Sequence, residues 1–184
     1  MKKTLLLFAL AMTYCTLYSQ TFKSEKLRTG QWKKNTMLTV ASADGKQQIQ
    51  LAAKGKKIKK TPKKVKPLVI NGDSCQLIQT AGVIQIIGAD GSPLLQTNKN
   101  RKEIFDSFNQ TYVRETKKSK REIRYLDSEG KVILFGKLRR RVIEINAYED
   151  SPLLMALCME ELIQKAQEDY NDAMNTNLMN INND

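Results

Sequence analysis

From residue 35 onward, apolar side chains come in short runs, often alternating with polar ones. Ten such runs predict strands at 37–40, 48–51, 68–70, 76–79, 83–87, 93–96, 110–114, 122–126, 132–135 and 141–146. The alternation is clearest in REIRYLD and RVIEINAY, where every second residue is apolar or aromatic. Between the runs sit ADG at 43–45, KG at 54–55, NG at 71–72, ADG at 89–91 and SEG at 128–130. Asn-Gly and Asp-Gly suit tight hairpins, whose central residues need positive φ. The stretch NRKEIFDSFNQTYV reads as strand and loop, with one helical turn as the alternative. Ten hairpin-linked strands predict a mainly β antiparallel meander, closed into a barrel or folded as a sandwich or open sheet.

The pattern changes at Ser151-Pro152. Ser suits a helix cap and Pro the first helical position. LLMALCM follows, seven consecutive apolar residues, or about two turns with no polar side. Such a helix must be surrounded by protein, so Leu153, Leu154, Leu157 and Cys158 are expected core residues. The next segment, EELIQKAQEDYNDAM, is acidic and amphipathic, and predicts that the helix emerges into water after Met159. Residues 175–184 are Asn-rich and are expected to be disordered.

The start of the chain has its own logic. Lys2 and Lys3 precede a short apolar run at 4–13, the pattern of a secretory signal peptide over 1–19. A membrane anchor is the alternative; a lipoprotein reading of Cys15 is disfavoured by the bulky Tyr14 before it. The organisation expected is therefore a signal peptide, a lead-in at 20–34, one β-rich domain at 35–174 and the tail. The protein is expected to be exported, periplasmic or extracellular. Trp32 in the lead-in reads as a strand or lid residue covering the core, with a membrane-interface anchor as the alternative.

An antiparallel meander ending in an all-round apolar helix resembles the tubby-like superfamily. The segment REIRYLDSEGKVILFGKLRRRVIEINAYEDSPLLMALCMEEL, residues 121–162, looks like that family's last hairpins and the start of its helix. Residues 83–102 and 37–50 repeat the hairpin pattern more faintly. The superfamily includes tubby proteins, phospholipid scramblases and small LURP-one-related proteins, with bacterial members among the last. The resemblance implies a closed barrel around a hydrophobic C-terminal helix and an association with membranes. No motif here allows headgroup-, calcium- or lipid-moving residues to be carried over.

Charge and missing chemistry narrow the function. The chain has no histidine, which removes the usual neutral-pH base and zinc ligand. No phosphate-binding glycine loop or metal-ligand cluster stands out, so a non-enzyme without metal or cofactor is expected. Cys75 and Cys158 either pair or stay free. Residues 20–150 carry 28 Lys and Arg against 13 acids, whereas 151–184 carry one Lys against six acids. A basic body before an acidic segment favours an anionic partner or docking of the segment on its own body.

The densest charge is KGKKIKKTPKKVK, eight lysines in thirteen residues. Lys54, Lys56, Lys57, Lys59, Lys60, Lys63, Lys64 and Lys66 are the candidate anionic-surface site. A solvated loop is the plainer reading. An all-lysine set lacks the planar forks that recognise one phosphate, and fits a diffuse anionic membrane or acidic polymer. Aromatic residues do not interleave with it, so base-stacking recognition of nucleic acid is not expected. Lys117, Lys118, Lys120, Arg121, Arg139, Arg140 and Arg141 form a possible second patch. The alternative function is a structural or assembly protein of the cell envelope, using a strand edge or the acidic tail to contact a protein partner.

Overall fold

The computed structural model describes residues 19–28, 31, 36–58, 61, 63–117 and 121–181, with side chains of the C-terminal helix described to Thr176. Residues 1–18 of the expected signal peptide, Trp32, Lys59, Lys60, Lys118 and Lys120 lie outside these residues. Among the described residues, thirteen strands precede one helix. They are β1 (Gln20–Ser24), β2 (Met37–Ser42), β3 (Gln48–Ala52), β4 (Lys56–Lys57), β5 (Lys64–Ile70), β6 (Asp73–Thr80) and β7 (Val83–Gly88). Then come β8 (Pro93–Thr97), β9 (Glu103–Asp106), β10 (Thr111–Thr116), β11 (Glu122–Leu126), β12 (Val132–Arg139), β13 (Val142–Ala147) and the helix α1 (Pro152–Ile181).

Every pairing is antiparallel between chain neighbours, with two exceptions that close the sheet. β1 pairs with β13, Phe22 facing Ile145, and β3 pairs with β5, Leu51 facing Leu68. The result is a closed twelve-stranded barrel, with β4 a two-residue flap on β5. All ten predicted strands are present. The ambiguous stretch forms β9, a turn and β10. Two strands were not foreseen. β1 lies in the expected lead-in and buries one apolar side chain, Phe22. β4 lies within the lysine run, where charge hides any alternation.

Alternate strand residues point inward, including Val40, Leu77, Ile84, Ile86, Ile123 and Ile143. Eight strands already hold side chains across a barrel, and twelve leave a lumen too wide for them. α1 fills it. Ser151 stands at the cap position, its carbonyl accepting the Met155 N–H at 3.0 Å. Leu154, Leu157 and Cys158 are buried as expected, while Leu153 is half-buried at the lip.

Two expectations about the helix are corrected. It does not emerge after Met159: residues 154–163 are all buried, including Glu160 and Glu161. Nor does it stop at the expected tail: α1 continues to Ile181, while 182–184 lie outside the described residues. Asn residues are weak helix formers, but a helix already anchored through the barrel needs no fresh nucleus to continue. Cys75 and Cys158 are both free thiols.

Helix and wall come close at Gly136 of β12, where an added Cβ would lie 2.1 Å from the Cys158 sulfur. Gly136→Ala is expected to destabilise the protein by about 1–3 kcal/mol through overpacking. Adding Cys158→Ala should recover part of that loss. Urea unfolding of the single and double variants measures both, and equal stability of Gly136→Ala and wild type would contradict this contact.

Candidate functional site

In an antiparallel meander successive connections alternate between the two ends of the barrel. The β1–β2, β3–β5, β6–β7, β8–β9, β10–β11 and β12–β13 connections therefore share one end. α1 starts after β13 at the opposite end and leaves through this one. Here the connections carry, among the described residues, thirteen Lys and Arg against Glu25 alone. Connections at the other end carry six acids against Lys46 and Lys131. Asp44 and Asp90 there accept hydrogen bonds from Ser42 and Ser92, which hold both carboxyls below their ordinary range. The barrel thus has a basic and an acidic end.

The lysine run divides between the basic end and the core. Lys54, Lys56, Lys57 and Lys63 are exposed at the basic end. Lys64 is half-buried, its stem lying across Gly55, where a Cβ would come within 2.6 Å of it. Burial first, then the nearby Lys66, lower its pKa. The reading of Lys66 as a surface contact is overturned: it is wholly buried inside the barrel. Its Nζ donates to Glu160 Oε2 at 2.6 Å and to the Ala53 carbonyl at 3.3 Å. Gln79 and Gln164 donate to the other Glu160 oxygen at 2.8 and 2.6 Å. The signal lay in strand phase. Leu68 and Ile70 face inward, and counting back by two puts Lys66 on the same face.

The second candidate patch shares the basic end. Arg140 and Arg141 form its two-residue hairpin turn, with φ of 49° and 66°. Arg139 is exposed beside them. Lys117 pairs with Glu122 at 3.1 Å. Arg121 is held by the helix, its Nη2 lying 3.0 Å from Asp169. Sequence reasoning missed this tie between the emerging helix and the basic loops. It also missed Arg101, which donates to the Gly82 carbonyl and to Gln164, at 3.0 Å in each case.

Deeper along the helix, Arg114 Nε meets Glu161 Oε2 at 2.5 Å. Glu161 Oε1 and the Tyr125 hydroxyl are buried without a hydrogen-bond partner among the described residues. Burial pushes the Glu161 carboxyl up despite the opposing pull of Arg114. Burial, then the Glu161 charge, push the Tyr125 phenol well above its ordinary range. Among the described residues no group of three His, Cys, Asp or Glu side chains is arranged to hold a metal ion. Nor is any described helix long and apolar enough to cross a membrane.

No protein-family profile matches the chain, and neither does any curated protein. An X-ray structure of a protein from Arabidopsis thaliana is similar over 80% of this chain and 91% of that one, at 9% identity and a TM-score of 0.49.

Lys66→Met would strand the Glu160 charge inside the barrel and is expected to cost about 3–5 kcal/mol. Lys66→Met with Glu160→Met should recover most of this, and Lys56→Met should change stability by less than about 0.5 kcal/mol. Chemical unfolding ranks the three. A second expectation concerns pH. With its folded pKa raised, Glu161 contributes stability that is full below the unfolded value near 4.5 and is lost as pH rises through the folded one. Glu161→Gln removes that loss, so its stability relative to wild type should rise with pH across this window. Parallel unfolding curves at a series of pH values test the sign.

Proposed function

We propose that the chain is an exported, non-catalytic binding module that docks on an anionic surface through the basic end of its barrel. The observation that supports this reading is the gathering of thirteen cations among the described residues, distant in sequence, onto one end, while the other end is acidic. Such an axis presents one end to a negative surface and turns the other away. Each lysine near an anionic membrane contributes on the order of 1 kcal/mol, decaying within a Debye length of about 8 Å at physiological salt. Export is supported by the charged and then apolar start of the sequence. The barrel around a C-terminal helix also supports kinship with the tubby-like superfamily, which we hold as part of the same proposal.

The test is co-sedimentation with phosphatidylcholine vesicles with and without phosphatidylglycerol. Binding should need the anionic lipid and fall steeply with salt. Changing Lys54, Lys56, Lys57, Lys63 and Lys64 to Gln should weaken it about a hundredfold or more. Lys66 is left intact in this variant because it holds the fold. Undiminished binding by the variant would exclude this end as the contact.

The continuation of α1 past its last core residue, Ala166, favours a second reading, assembly with an envelope protein. Residues 171–176 are exposed along this extension. Deleting 174–184 leaves the barrel filling intact, and under this reading should abolish a salt-resistant envelope complex seen by affinity capture.

A further inference from the structure

The outer wall of β5 inverts the pattern a filled barrel calls for. Its inward face carries the Lys66 cation, while Val65, Pro67 and Val69 alternate with it on the outward face. Beside them the partner of β5 changes. β3 pairs with residues 68–70 and β4 with 64–65, leaving 66–67 unpaired on that side. Pro67, which lacks an N–H, stands in that gap. An open groove of about 830 Å³ runs over this wall, against about 210 Å³ for the cleft beside Arg140 and Arg141. Ile58 of the flap, 43% exposed, forms one bank. Lys56 and Lys57 stand at the end nearest the basic rim.

We infer that this groove binds a single-chain anionic amphiphile, with its hydrocarbon along Val65, Pro67 and Val69 and its acidic head at Lys56 and Lys57. The inference deepens the surface-docking reading, on which the choice of an anionic head rests. Apolar side chains with a few polar groups, here Gln76 and Ser74 beside the strip and the two lysines at one end, are in this range of volume the ordinary make-up of a small-molecule site. The strip from Val65 to Val69 is about 13 Å long, room for an extended chain of roughly ten carbons. Each methylene removed from water tightens binding about fourfold. A second copy of the chain fits less well. The strip is a few side chains wide, far short of the roughly 800 Å² per partner of a standard interface, and its lysines would face like charge.

The experiment is an NMR titration of the full folded chain with decanoate below its micelle threshold, compared with decyltrimethylammonium and butyrate. Decanoate should bind and shift backbone amides at 56–58 and 65–69, decyltrimethylammonium should bind about tenfold more weakly, and butyrate should not bind. Val65→Ser with Val69→Ser changes half-exposed outward positions and should weaken decanoate about tenfold or more with the melting temperature held. Lys56→Gln with Lys57→Gln should remove only the preference for the acid over the cation. Decanoate that leaves those amides unshifted, or that binds the serine variant as it binds wild type, overturns the inference. So does a dimer that the serine variant converts to monomer in sedimentation, which would make the groove a contact between copies. Vesicle binding without decanoate binding removes this inference alone, and decanoate binding without vesicle binding removes the surface-docking reading alone.

Discussion

The lumen of a twelve-stranded barrel must be filled by something other than its own strands, and the fit of α1 into that space governs the rest of the molecule. The fit is specified twice. Gly136 lets the helix backbone approach β12 closely enough for Cys158 to seat. The Lys66–Glu160 pair, with Gln79 and Gln164 completing the Glu160 shell, then sets how deep the helix sits. Sliding by one turn, about 5.4 Å, would separate two buried charges and leave both uncompensated. A wholly apolar plug would tolerate that slip far better.

The same pair explains why part of the site was illegible from sequence. The strands and the helix start were readable because burial on one face forces a period of two, and a buried helix forces an unbroken apolar run. Charge obeys no such rule when it is paired. Eight lysines in thirteen residues look like one solvated unit, yet strand alternation takes Lys66 out of it and sends it inside. Glu160 and Glu161, at the end of an apolar run, looked like the point of emergence for the same reason. Each has a basic partner at a sequence distance no local pattern reaches: Lys66 for one and Arg114 for the other. Phase could have been read from Leu68 and Ile70, but partnership could not.

Charge outside the barrel follows from topology. Composition alone reveals a basic body and an acidic end segment. Folding converts this linear asymmetry into an axial one, because hairpins of alternate parity fall at opposite ends. Acids at one end are largely turn formers, such as Asp44, Asp90, Asp106 and Asp127, each accepting hydrogen bonds within its own turn. The turns at the basic end use other means, including an Arg-Arg pair held at positive φ, a conformation bulky residues adopt at a cost. The acidic part of α1 emerges among these cations, and Asp169 meets Arg121 there. The basic end is thus partly neutralised by its own chain.

Barrel closure has a further consequence, for the order in which the chain can become a protein. The seam joins the first strand to the last, Gln20–Ser24 to Val142–Ala147, and the filling comes from the residues after that. Without α1, the twelve barrel strands have a seam to close across more than a hundred residues and nothing to wrap around. Such pairings across more than a hundred residues are slow to find. Closing the wall and inserting the helix therefore depend on one another, since either alone leaves apolar surface facing water.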